Sequence, residues 1–202
     1  MTLWLAEEPL LLASKSAVRR ALLQAAGIEV ETEAADIDER TIEAQAGLSD
    51  PGEVAKLLAR EKARTVSLKQ PGRVVLGADQ TLALGARRFS KAADRAAARD
   101  QLRALRGKTH ALHSAVAVMR DGAVLFERVA VARLTMREFS DGFLESYLDA
   151  VGDAATTSVG GYQLEGLGVQ LFERIDGDHF TILGLPLLPL LQWMRGAGLL
   201  QS

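Results

Sequence analysis

Val74-Val75-Leu76-Gly77-Ala78-Asp79-Gln80 is an apolar run that closes on a carboxylate. Arg73 to Ala78 reads as a buried strand, because a short apolar stretch after the breakers Pro71 and Gly72 fits a strand covered on both faces. A carboxylate at the end of such a strand lies where open α/β sheets place ligand-contacting groups. Gly77 permits another backbone to come close. Asp79 fits a turn cap as well. Thr81 to Leu84 reads as a second, short strand.

Outward from this run, strands and helices alternate. Pro9 to Ala13 reads as a buried strand. A helix over Ser16 to Ala26 follows, with Ser16 as N-cap and Gly27 as the C′ glycine. Ile28 to Ala34 reads as a strand. Asp50-Pro51-Gly52-Glu53 resembles a capping box with proline at N1, opening a helix to about Lys69. Ala92 to Leu105 and Ser140 to Ala150 read as helices. His110 to Met119 and Val124 to Leu134 are β-rich arms around Asp121-Gly122, a strong hairpin signal. Val169 to Ile175 reads as a strand and Pro186 to Gly196 as a final helix. Helices alternating with strands, interrupted by a long hairpin, favour an α/β fold with a mixed sheet over a pure doubly wound one.

The chain has 202 residues, 48% of them hydrophobic and 25% charged, enough for one domain with a sizeable core. It has no cysteine, which excludes disulfides, thiolate zinc sites and cysteine nucleophiles. The net charge of −2 gives no reason to expect binding to nucleic acid or to a membrane. Met1 to Leu12 carries Glu7 and Glu8 and lacks the basic start of a signal peptide. No stretch reaches the ~18 uncharged apolar residues of a membrane span. A cytoplasmic protein is expected.

Four places put polar groups where phosphate chemistry wants them. Ser14-Lys15-Ser16-Ala17-Val18-Arg19-Arg20 joins a strand to a helix, and a helix N-terminus with hydroxyls and an arginine makes an anion site; a Ser N-cap in a solvated basic turn fits too. Asp36-Ile37-Asp38-Glu39 holds three carboxylates in four residues, a set able to hold a divalent cation or to form an exposed acidic loop. On the helix after Pro51 the apolar stripe runs through Val54, Leu57, Leu58, Val66 and Leu68, with Glu61 near its middle and Lys62 on its flank. A charge there must pair or bind a ligand. Asp79 is the fourth, with Lys91 downstream at the end of a loop.

These segments, in this order, resemble the Maf family of nucleoside triphosphate pyrophosphatases over nearly the whole chain. A Ser-x-Ser-Pro-x-Arg-Arg loop matches Ser14 to Arg20. Asp-x-Asp-Glu matches Asp36 to Glu39, and Glu-Lys-Ala matches Glu61-Lys62-Ala63. The Gly-Ala-Asp strand end matches Gly77 to Asp79. A Gly-Lys-Pro loop matches Ser90-Lys91-Ala92, a glycine-rich loop matches Gly161 to Gly168, and Gly-Leu-Pro-Leu matches Gly184 to Leu187. Ala17 replaces the usual proline, and Ser90 and Ala92 replace the glycine and proline beside Lys91.

The resemblance implies a two-lobed, ITPase/Maf-like α/β fold with a nucleotide cleft, spanning residues 1–202 as a single domain. It implies hydrolysis of a nucleoside triphosphate to monophosphate and pyrophosphate, a divalent cation (Mg, Mn or Co) and a homodimer. Asp79 is then the proton acceptor, with Glu39, Lys62 and Lys91 beside it in catalysis. Glu39 and Asp79 hold the metal, and Ser14, Ser16 and Arg19 hold the triphosphate. One branch of the family resembles dTTP and UTP pyrophosphatases, with Arg, Thr and Gln at three variable places. Another resembles 7-methyl-GTP pyrophosphatases, with an apolar or aromatic residue, Gln and Glu. Here the three are Val18, Gln80 and Glu165. A guanine edge offers two neighbouring donors that a carboxylate accepts together, so the second branch fits and a modified, non-canonical nucleotide is the expected substrate. The rival from another class is a nucleotide-binding regulator of cell division, which need not keep a proton acceptor. His110, His113 and His179 lack metal-ligand spacing and read as structural or surface residues, and Trp4 and Trp193 as packing groups.

Overall fold

The apolar run beginning at Val75 is a longer strand than its pattern implied. A computed structural model describes residues 3–202. The elements are β1 (Leu10–Leu12), α1 (Ala17–Ala25), β2 (Val30–Thr32), α2 (Glu39–Ala46), α3 (Pro51–Lys69), β3 (Val75–Leu84), β4 (Arg87–Phe89) and α4 (Arg95–Leu105). After them come β5 (Thr109–Arg120), β6 (Ala123–Met136), α5 (Asp141–Val151), β7 (Phe172–Asp176), α6 (His179–Ile182) and α7 (Leu187–Gly196). The strands form one sheet in the order β2-β1-β3-β5-β6-β7, with β4 paired to β3. β1 runs parallel to both β2 and β3, whereas β3–β4 and β6–β7 are antiparallel. The α/β class with a mixed sheet therefore holds.

Asp79 does not end its strand. Thr81 to Leu84, expected as a separate strand, continues β3 without a break. The reason is in the pairing. β1 registers with β3 only at Leu11↔Val75 and Leu12↔Leu76, then turns into α1, while β3 runs on to pair with β4 at Leu82 to Leu84. Asp79 thus lies just past the end of the parallel segment, which is the position that matters for a ligand.

The caps at Ser16 and Asp50 fall where the sequence puts them, and Ser140, read as the first residue of a helix, caps it instead. The side chains of Ser16, Asp50 and Ser140 accept from Arg19 N, Glu53 N and Phe143 N. Gly27 takes φ 75°, and Asp121 and Gly122 take φ 52° and 75°, the paired positive values of a two-residue hairpin turn. Three expectations are corrected, and one helix is added. The strand over Ile28 to Ala34 shrinks to Val30–Thr32. Leu167–Leu171 is a 3₁₀ turn, so only Phe172–Asp176 is extended. The helix expected from Ala92 starts at Arg95 behind the N-cap Asp94. α2 was not foreseen: it buries no residue, so it shows no apolar period, and it stands on the Asp38 cap and the left-handed Gly47.

The chain divides into two compact units. One runs to Gln80 and includes Ser114–Ala130 and His179–Ser202; the other comprises Thr81–His113 and Val131–Asp178. In the first unit the sheet carries apolar side chains on both faces. Leu10, Leu12, Leu76, Ala78, Val116 and Val118 join Leu23, Leu187, Leu190 and Met194 of α1 and α7. Leu11, Val75, Ala115, Ala117 and Met119 join Ala55, Ala59, Ala63 and Val66 of α3. Trp4 is buried in the former cluster and Trp193 stacks on Phe126, so both tryptophans pack, as expected. In the second unit His110 is buried, with Nε2 2.7 Å from the Tyr162 hydroxyl and Phe172 against its ring. Burial lowers its pKa to about 4, so it is a neutral structural histidine.

Candidate active site

The buried face of α3 carries Val54, Leu58 and Val66 of the expected stripe and, between them, small residues. Ala55, Ala59 and Ala63 recur every fourth position and are fully buried, while Leu57 is partly exposed and Leu68 lies 59% in solvent. The expected stripe thus holds at Val54, Leu58 and Val66 and is corrected at Leu57 and Leu68. The cause is Gly77. A β carbon there would stand 2.0 Å from the Ala59 carbonyl oxygen and 2.7 Å from the Ala63 nitrogen, so α3 lies directly on the backbone of β3 and only alanines fit between them. The two charges exchange places. Glu61 faces partly outward beside Arg64 at 3.7 Å. Lys62, its side chain 13% exposed, points at Asp79.

The Lys62 ammonium lies 2.6 Å from Asp79 Oδ1 and 2.7 Å from Glu39 Oε1. Asp79 is buried, and burial raises its pKa above the ordinary carboxylate value; the positive charges of Lys62 and Arg19 oppose that rise. Two carboxylates thus share one cation at the edge of the parallel strands. Asp36 and Asp38 do not join them. Asp38 caps α2, accepting from the Thr41 hydroxyl at 2.7 Å and the Thr41 N–H at 3.1 Å, and Asp36 meets Lys15 on the surface. The acidic run splits because α2 begins inside it and turns each carboxylate a different way. Among the described residues no three His, Asp or Glu side chains gather as a cage for a metal ion.

Arg19, one turn into α1, is held by main-chain oxygens. Its Nε donates to Gly184 O at 2.8 Å and its Nη1 to Ala78 O at 2.8 Å. Nη1 also reaches Ser14 Oγ at 3.5 Å, which in turn accepts from Ser16 N at 3.2 Å. Burial pulls the guanidinium pKa down, and Asp79 and Glu39 pull it back up. Gly184 sits at φ 87° with its missing β carbon 3.2 Å from Arg19 Nη2. The closing Gly-Leu-Pro-Leu segment, recognised only as a pattern, therefore serves as the rest for Arg19. Ser16 spends its hydroxyl on the cap. Val18 is partly exposed at the head of the same helix.

Gln80, next to Asp79, points to the opposite face of the strand. Its amide nitrogen donates to Ser114 Oγ at 2.9 Å and lies 3.0 Å from Ile182 O and 3.2 Å from Thr181 O. Ser114, Thr181 and Ile182 were not singled out in the sequence; the one signal was a serine among the apolar residues Ala115 to Met119. Lys91 and Glu165 belong to the second unit. Lys91 is exposed and its backbone bridges Val159, and Glu165 is exposed in the turn before Gly166. Ser14, Ser16, Arg19, Glu39, Lys62, Asp79 and Gln80 all belong to the first unit.

The chain belongs to the Maf-like proteins: the sequence pattern of the family described as "Maf-like protein" matches residues 9–197. Proteins named nucleoside triphosphate pyrophosphatase are similar over nearly the full length. One from Rhodopseudomonas palustris is 62% identical over 99% of both chains, and one from Bradyrhizobium diazoefficiens 60% identical over 99% of both. A protein of Brucella abortus named 7-methyl-GTP pyrophosphatase is 56% identical, covering 92% of this chain and 94% of its own. No helix among the described residues is long and apolar enough to cross a membrane.

Proposed function

We propose that this nucleoside triphosphate pyrophosphatase acts on 7-methyl-GTP, releasing pyrophosphate and the nucleoside monophosphate, with Asp79 as the proton acceptor. The observation that carries the chemistry is the Lys62 ammonium shared between Asp79 and Glu39. A water oxygen forms a bond to the α-phosphorus, the bond to the β-phosphate's bridging oxygen breaks, and the water's proton passes to Asp79. A buried carboxylate with a raised pKa is a stronger base than an ordinary aspartate. The charge of Lys62 opposes that rise and favours the ionised form. Lys62 and Lys91 bind phosphate oxygens. Arg19, fixed by Gly184 and Ala78, turns its remaining donors and the Ser14 hydroxyl to the triphosphate at the head of α1.

Glu39 and Asp79 fit a divalent cation. Both are hard oxygen donors already converging on one cationic centre, and two carboxylates with phosphate and water oxygens suit Mg²⁺, Mn²⁺ or Co²⁺. When bound, such a cation neutralises charge on the phosphate oxygens.

The substrate reading rests on Val18, Gln80 and Glu165, with support from the Brucella relative's name. A 7-methylated guanine is cationic and presents N1–H and N2–H₂, so the Glu165 carboxylate gains both a paired hydrogen bond and Coulomb attraction. The test is pyrophosphate release over 7-methyl-GTP, dTTP and UTP by the native protein and by Asp79→Asn. Native turnover should be fastest on 7-methyl-GTP and the variant inactive on all three. Faster turnover of dTTP and UTP would overturn the substrate, and near-normal turnover by Asp79→Asn would remove Asp79 from the mechanism.

A further inference from the structure

Ser114 is fully buried, in a strand whose neighbours on the same face, Val116 and Val118, are core residues. A hydroxyl there needs partners. It has two: it donates to Thr181 O at 2.6 Å and lies 2.9 Å from the Gln80 side-chain nitrogen. Because its one hydrogen goes to Thr181 O, Ser114 offers Gln80 only a lone pair. The carbonyls of Thr181 and Ile182, at 3.2 and 3.0 Å, also offer only lone pairs.

Three acceptors around one end of an amide fix which end it is. An oxygen placed there would face three oxygens without a proton between them, so the NH₂ group must occupy the cradle. The Gln80 amide then cannot flip, and its carbonyl oxygen is turned away from the cradle. A free glutamine presents either a donor or an acceptor to a ligand. This one presents an acceptor alone, with its side-chain freedom already lost before substrate arrives.

We infer that Ser114 is a positioning residue for base selectivity: with the Thr181 and Ile182 carbonyls it holds the Gln80 amide so that only Oε1 is offered to the substrate. The inference rests on the proposed role of Gln80 in choosing the base. An acceptor fixed in this way favours a base edge rich in donors, as guanine's is, over the acceptor–donor–acceptor edge of uracil or thymine. The turn from Thr181 to Gly184 that holds Gln80 also holds Arg19 through Gly184 O, so one short segment orients a selectivity group and a phosphate-binding group together.

A double-mutant cycle in the full-length protein tests this. The ratio of kcat/KM for 7-methyl-GTP to that for UTP is measured in the native protein, Ser114→Ala, Gln80→Met and the double variant, with melting temperatures alongside. Ser114→Ala should lower the ratio about threefold to tenfold, the effect of one orienting hydrogen bond, through the 7-methyl-GTP arm while UTP turnover holds. In the Gln80→Met background the same change should leave the ratio unaltered. Ser114→Cys keeps a side chain of similar size with a weak hydrogen-bonding thiol, and should move the ratio in the same direction if alanine does not fold. Equal loss on both substrates, or a Ser114 effect that persists undiminished without Gln80, would overturn the inference. If the native protein prefers UTP, the substrate proposal fails by itself, and the cycle still decides whether Ser114 acts through Gln80 on that preference.

Discussion

Gly77→Ala puts one methyl group between α3 and β3, and its effect can be worked from the geometry. The new carbon would stand 2.0 Å from Ala59 O and 2.7 Å from Ala63 N, where ordinary contact begins at 3.4 Å. Strand and helix must separate by roughly 1 Å or more, and neither obstacle is a side chain that can swing aside. β3 is fixed on its other side, since Ala13 N donates to Leu76 O at 2.8 Å. The helix is the part that moves, and Lys62, between Ala59 and Ala63 in sequence, moves with it. Overpacking of this kind costs about 1–3 kcal/mol, which for a chain of this size lowers the melting temperature by roughly 2–12 °C. A displacement near 1 Å at a catalytic group costs on the order of 10²-fold in rate, less whatever the lysine stem recovers by extending. Calorimetry and a pyrophosphate-release assay read the two effects. Gly196→Ala is the control: nothing lies within 4 Å of its added carbon and its φ is ordinary, so stability should be unchanged or slightly raised and activity retained. A Gly77→Ala protein with native melting temperature and native kcat would refute the claim that helix–strand contact at Gly77 sets the site.

Lys62→Met removes a charge that pulls the Asp79 pKa down against the larger, upward effect of burial. A proton acceptor must be ionised, so activity falls as pH drops through its pKa, and the acidic limb of the pH–rate profile should move to higher pH in the variant; a limb that stays put would separate Lys62 from Asp79. His110 offers a second titration. It is neutral in the fold with its pKa at about 4, against 6.5 for an ordinary histidine. Between those values the unfolded chain binds the extra proton, so stability present above pH 6.5 is lost as pH falls towards 4, by about 3 kcal/mol. Denaturant midpoints across that range should fall more steeply in the native protein than in His110→Gln, and parallel curves would rule out His110 as the cause.

The sequence carried the caps, the hairpin and the class of fold because those depend on neighbours along the chain. Ser16, Asp50 and Asp121-Gly122 act within a few residues, and the structure has each in the expected role. The orientation of α3 was legible only in part. Val54, Leu58 and Val66 of the expected stripe are buried, but Leu57 and Leu68 are not, and opposite Gly77 the contact is made by alanines, because a strand backbone distant in sequence comes too close there for anything larger. The split of the acidic run from Asp36 to Glu39 was hidden for a similar reason: a helix without a buried face begins inside it and leaves no period to detect. The partners of Arg19 were out of reach too, since two of them are backbone carbonyls, and any residue type can supply a carbonyl.

Asp79 and Gln80 are adjacent in the chain and separate in surroundings. Alternation along β3 sends Asp79 to the face that α3 covers, where Lys62 and Glu39 meet it, and Gln80 to the face of Val116, Val118 and α6, where Ser114, Thr181 and Ile182 hold it. Lys62, the side-chain hydrogen-bond partner of Asp79, is not among those of Gln80. Sites more than about 7–10 Å apart with no shared partners usually add, but adjacent residues also couple through the backbone they share. Changes at Gln80 or its cradle do not touch the Lys62 contact of Asp79 directly, and reach Asp79 through β3 and through the turn that carries Arg19's partner Gly184. One strand thus gives two neighbouring side chains separate surroundings on its two faces. The physical condition for this is the two-residue period itself, together with the early end of β1, which leaves both side chains beyond the parallel pairing.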